Sequence, residues 1–121
     1  MKHSIRHVKK AARHSWQGLR AAYKTERAFR IELFLTIFAL PLAFVIGKTP
    51  LEKALLVASW IFILVMELVN TAIETIVNRI SQEHHPVSGK AKDIGSAVVF
   101  VAAIQAVLFW GILTLSRCGW F

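Results

Sequence analysis

The sequence predicts an all-α membrane protein in which an amphipathic amino-terminal helix precedes three transmembrane helices. Two observations carry that prediction. Three apolar segments, Leu33 to Gly47, Ala54 to Val77 and Ile94 to Leu115, occupy half of a 121-residue chain that is 55% hydrophobic. Ahead of them, Ile5, Val8, Ala12, Trp16, Leu19 and Tyr23 recur at spacings of three and four, with Lys9, Lys10, Arg13 and Arg20 between them. That is the period of an amphipathic helix. So small and apolar a chain suits one membrane domain over residues 1–121 better than a soluble core with a solvated surface.

Each element follows in order. Residues 1–27 are expected to lie in the membrane surface, with basic flanks toward headgroups and Trp16 at the interface. Thr25 and Glu26 read as a turn into the first span, about residues 29–47. Only 15 uncharged residues follow Glu32, so Phe29 and Arg30 belong to the interface, and Pro41 predicts a kink. Lys48-Thr49-Pro50 has room only for a tight turn, making a hairpin with the second span, 54–77. The connector 78–93, NRISQEHHPVSGKAKD, is dense in His, Lys, Ser and acids and marks a working surface outside the membrane. The third span, 94–115, is the clearest. Its 22 residues carry no charge and reach about 33 Å, enough for a hydrocarbon core of about 30 Å.

Charge fixes the expected topology. Nine Lys or Arg lie in residues 1–30 and three more in 78–93, against Lys48, Lys53 and Arg117 elsewhere. With three spans the amino terminus and the 78–93 connector share a side, 12 basic residues against 3. The positive-inside rule makes that side cytoplasmic and puts the carboxyl terminus opposite. A net charge of +8 also raises the nucleic-acid reading, but on a hydrophobic body it points to anionic headgroups instead. About thirty polar and basic residues precede the first apolar run, with no small-residue cleavage site after it, so that span is expected to be retained. Cys118 is the single cysteine, which excludes an intrachain disulfide and a thiolate zinc site.

Chemistry concentrates on the second span. A carboxylate at the centre of a membrane helix costs about 2.5 to 3.5 kcal/mol, so Glu67 and Glu74 require a function or a partner. On one helix Glu67, Asn70, Thr71, Glu74 and Asn78 fall at i, i+3, i+4, i+7 and i+11, a single stripe that must face protein. The two glutamates stand about 10 Å apart along the axis, too far to share one small ion. Glu67, deeper and desolvated, suits a general base. Glu74, nearer water and phosphates, suits Mg²⁺, which takes oxygen ligands together with substrate phosphates. The same residues could instead serve only as hydrogen-bonded links between helices. Ser88-Gly89-Lys90 lacks the earlier glycine of a phosphate loop. Lys90, Lys92 and the start of the third helix could still hold an anion. By spacing alone, His84 and His85 are surface histidines.

Further strings decide between these readings. ELVNTAIETIVNRI at Glu67 to Ile80, EHHPVSGKAKDIGSA at Glu83 to Ala97, KAARHSWQGLRAA at Lys10 to Ala22 and TERAFRIE at Thr25 to Glu32 resemble the small integral-membrane diacylglycerol kinases of bacteria. The resemblance implies a homotrimer in the inner membrane, with sites between subunits, that uses ATP and Mg²⁺ to convert diacylglycerol to phosphatidic acid. It implies Glu67 as the base, Asn70 as orienting the base or the substrate, and Glu26 and Glu74 as metal-linked carboxylates. His7, His14, Glu26, Glu74, Glu83, His84, His85, Lys92 and Asp93 fall at its nucleotide positions. Ala11, Ala12, Ser15, Trp16, Glu32, Glu67 and Ser96 fall at its lipid positions. His7 stands where the family often carries arginine, His14 and His84 where tyrosine is expected, and Asn78 where aspartate is. Undecaprenol kinase is the related alternative, which the SGKAKDIGSA string disfavours. A proton-coupled transporter would leave Lys92, Asp93 and Glu26 without a use, and a silent adaptor would leave Glu67 and Glu74 without one.

Overall fold

The computed structural model describes residues 1–80 and 82–121, so Ser81 of the expected connector lies outside the described residues. Four helices run in order: α1 Lys2–Thr25, α2 Arg27–Ile46, α3 Pro50–Ile80 and α4 Pro86–Arg117. The last three are long and apolar enough to cross a membrane.

The breaks between helices have identifiable causes. Glu26 takes an extended conformation (φ −110°, ψ 109°) and ends α1, with its N–H bonded to Ala22 O. Arg30 then reaches back across the elbow, Nη1 donating to Tyr23 O at 2.8 Å and Lys24 O at 3.1 Å. These are carbonyls that a helix end leaves without partners. The α2–α3 turn carries a capping box. Thr49 Oγ1 accepts from Glu52 N at 3.1 Å, and Glu52 Oε2 accepts from Lys48 N at 2.7 Å and Thr49 N at 3.0 Å. Lys53 Nζ donates to Phe44 O at 2.8 Å and also to Gly47 O, closing the end of α2. A side chain on Gly47 would meet Lys53 N at 2.8 Å, so the hairpin needs glycine there. At the start of α4, His85 Nδ1 accepts from Val87 N at 3.1 Å and Pro86 occupies the first turn.

Both connectors are therefore shorter than the apolar pattern implies. Helix α3 extends three residues past Val77, and α4 starts eight residues before Ile94. Lys90, Lys92 and Asp93 consequently ride the first turns of α4 rather than a loop. Hydropathy marks where a helix is greasy, whereas caps mark where it ends. Helix α2 runs continuously through Pro41.

Packing is by small residues. Ala39 and Ala43 of α2 and Ala102 and Ala106 of α4 are buried together with Leu56 and Val77 of α3. Small side chains let membrane helices approach closely, which is where their van der Waals attraction comes from. Two tryptophans add polar links across helices. Trp60 Nε1 donates to Thr36 Oγ1 at 2.8 Å and Trp110 Nε1 to Leu56 O at 3.2 Å, and the two rings meet edge to face at 6.2 Å. Ser59, Thr71 and Thr75 hydroxyls bond carbonyls three or four residues back on α3, so none is left dry in lipid. The two tryptophan bonds tie α2, α3 and α4 in the half of the bundle nearer the α2–α3 turn. The Glu67–Glu74 stripe lies in the other half. On α1, Ile5, Val8, Trp16, Leu19 and Tyr23 are exposed, and Ala22 is the buried residue.

Candidate active site

Glu67 sits on the fourth to fifth turn of α3 and is buried. Its carboxyl group neighbours that of Glu32 from α2, and Glu26 and Glu74 are close enough to act on it electrostatically. Four carboxylates from the elbow, α2 and α3 thus share one region. Two buried polar atoms there, Glu32 Oε2 and Asn70 Oδ1, accept no hydrogen bond from the described residues. Asn70 Nδ2 points to Glu74 Oε1 at 3.5 Å, the outer limit of a hydrogen bond. The amide of Asn70 therefore addresses Glu74, one turn on, rather than Glu67.

Among the described residues no three acidic, histidine or cysteine side chains converge tightly enough to enclose a metal ion. Glu26 and Glu74 remain chemically suited to Mg²⁺. They supply hard oxygen donors, and this ion keeps waters and takes phosphate oxygens rather than a full protein cage.

Two grooves flank α1. One, of about 800 Å³, lies between α1 and α3 and is lined by Ser15, Gly18, Ala22, Thr25, Thr71 and Thr75 among others. The other, of about 430 Å³, is lined by Trp16, Leu19, Arg20, Tyr23, Phe29 and Leu33. Ser15 and Trp16 thus face different grooves. Ala11, Ala12 and Ser96 are exposed and line neither.

At the mouth of α3 and α4, Glu83, His84, His85 and Lys92 line a recess of about 150 Å³ with Val77, Gln82, Ser88 and Gly89. His84 and Asp93 also border a second depression with Pro86, Gly89, Lys90, Ile94 and Ala97. The nucleotide candidates after residue 80 are therefore gathered within one chain. His7 and His14 are not part of these recesses: both are exposed on α1, where His7 packs its ring against His3, with centroids 4.6 Å apart.

Sequence reasoning placed Glu32 only among lipid positions, and its meeting with Glu67 was invisible because it joins two helices. It also missed the close approach of Gly95 to Asn70. A side chain built on Gly95 would lie 2.5 Å from Asn70 Oδ1.

Comparison with known proteins decides what this arrangement belongs to. The family model for prokaryotic diacylglycerol kinase matches residues 13–114, from the middle of α1 to near the end of α4. The chain belongs to the prokaryotic diacylglycerol kinase family. Within it, the chain is 43% identical over 107 residues to the diacylglycerol kinase of Haemophilus influenzae, covering 88% of this chain and 91% of the relative. It is 44% identical over 110 residues to that of Escherichia coli strain K12, covering 91% and 90%. To the Pseudomonas aeruginosa enzyme it is 38% identical over 111 residues, covering 92% and 90%. The match runs through the α1–α2 elbow, the α3 stripe and the start of α4, so every carboxylate of the cluster lies inside the family region.

Proposed function

We propose that this family member is an ATP- and Mg²⁺-dependent lipid kinase, a single domain over residues 1–121, that phosphorylates the hydroxyl of 1,2-diacylglycerol to give phosphatidic acid. The observation that carries the reading is a buried carboxylate, Glu67, beside Glu32 and within electrostatic reach of Glu26 and Glu74, in a chain of this family.

Phosphoryl transfer asks mainly for positioning and for neutralising charge. Glu67 takes the proton as the lipid oxygen bonds to the γ-phosphorus and the bond to the leaving ADP oxygen breaks. Burial suits that task. Glu26 and Glu74 would hold Mg²⁺ with the nucleotide phosphates. The bound ion would neutralise charge on the transferred group. Asn70 fixes the Glu74 carboxylate. Lys92 and Asp93, with Glu83, His84 and His85, receive the nucleotide from the cytoplasmic side, and His7 and His14 approach it from α1.

Helix α1 lies in the membrane surface as an amphipathic cover, its apolar residues toward acyl chains and its basic residues toward headgroups. Ala11, Ala12, Ser15, Trp16, Glu32 and Ser96 take the lipid. The working form is a homotrimer with sites between subunits, in a bacterial inner membrane, with the amino terminus and the α3–α4 connector cytoplasmic.

The test is acceptor choice. The purified protein in mixed micelles is given MgATP with diacylglycerol or with undecaprenol. Transfer to diacylglycerol is expected; preference for undecaprenol would assign the polyprenyl substrate instead, and no transfer to either would refute the kinase reading.

A further inference from the structure

Helix α4 packs mainly on α3, and Gly95 is one of its few buried residues. The gap at Gly95 is specific. A Cβ there would stand 2.5 Å from Asn70 Oδ1 and 3.5 Å from Ile73 Cδ1 and Cγ2, whereas a Cβ on Gly89 or Gly111 of the same helix would meet nothing within 4 Å. The atom it would strike is itself unusual. Asn70 Oδ1 is buried and receives no hydrogen bond from the described residues. The glycine backbone is its near neighbour, and a Cα–H is a weak donor of the kind that recurs where helices touch.

We propose that Gly95 is a positioning residue of the kinase: its missing side chain lets α4 close on Asn70, holding that amide in the rotamer that presents Nδ2 to Glu74. The inference rests on the roles given above to Asn70 and Glu74. A methyl group at 95 leaves two ways to relieve the clash. Moving α4 would disturb its whole contact with α3, while turning Asn70 about its side-chain bonds disturbs only that residue. The second costs the fold little. It breaks the 3.5 Å contact to Glu74 Oε1 and leaves the carboxylate without its amide. Gly95 is thus required by the chemistry of α3, not by the conformation of α4, where alanine is the better helix former.

The experiment compares Gly95→Ala, Gly111→Ala, Asn70→Ala and the double Asn70→Ala/Gly95→Ala in phosphate transfer, Mg²⁺ titration and thermal unfolding. Gly95→Ala is expected to lower kcat roughly ten- to a hundredfold, as small misplacements of catalytic groups do. It should also raise the Mg²⁺ needed for half-maximal rate, with an unchanged unfolding midpoint. Gly111→Ala should match the parent. In the Asn70→Ala background Gly95→Ala should cost nothing more, because its effect passes through that side chain. A fully active Gly95→Ala beside an impaired Asn70→Ala would overturn the inference while sparing the role of Asn70. So would an equal loss with and without Asn70. Full activity in Asn70→Ala would overturn the role of Asn70 and the inference with it. Should Gly95→Ala fail to fold, recovery of folding in the double variant would uphold the close approach, and no recovery would overturn it.

Discussion

At the scale of single residues, the division of labour proposed for the α3 stripe follows depth. Glu74, nearer the end of the helix, is half-buried and partnered by Asn70. Glu74→Gln keeps shape and removes charge, so weaker metal binding is expected: the Mg²⁺ concentration for half-maximal rate should rise at least about tenfold, a change of about 1.4 kcal/mol. An unmoved Mg²⁺ titration would count against a metal role. Stripping Mg²⁺ with a chelator should stop turnover in the parent and restore it on readdition. The stripe was legible because membrane carboxylates are costly and helical spacing is regular. The partner of Glu67 was not. Glu32 is 35 positions away in sequence, and periodicity within one helix says nothing about which face of another helix it meets.

At the scale of elements, apolar runs predicted the number and order of helices, while polar ends decided their lengths. The capping box at Thr49 and Glu52 shows why α3 begins at Pro50, ahead of the apolar run. Thr49→Ala is expected to destabilise the hairpin by about 1 kcal/mol, the usual loss for an N-cap. That would appear as a lower unfolding midpoint in detergent with transfer rates retained at low temperature; an unaltered midpoint would show the cap to be dispensable. The α1–α2 elbow is different, because it carries Glu26. Arg30→Ala releases the carbonyls of Tyr23 and Lys24, so it should lower activity more than stability. Equal losses in both would reduce Arg30 to a structural tie. That tie was not readable from sequence, since Arg30 looked like an interfacial anchor and its target is backbone.

At the scale of the whole molecule, the bundle has a stapled half and a chemical half. Trp60, Trp110 and Thr36 bind the helices together near the α2–α3 turn. Glu26, Glu32, Glu67 and Glu74 gather toward the opposite end, which holds the α1–α2 elbow and the start of α4. A site shared between copies predicts complementation. Mixing inactive Glu67→Gln and inactive Glu74→Gln chains in detergent before assembly should recover part of the activity, and no recovery would place both residues in one chain's site. The proposed removal of the lipid proton by Glu67 is tested most directly by measuring MgATP binding and diacylglycerol turnover side by side in Glu67→Gln. Nucleotide binding close to that of the parent with turnover nearly abolished is the predicted result; near-normal turnover would contradict the assignment of Glu67 as the base.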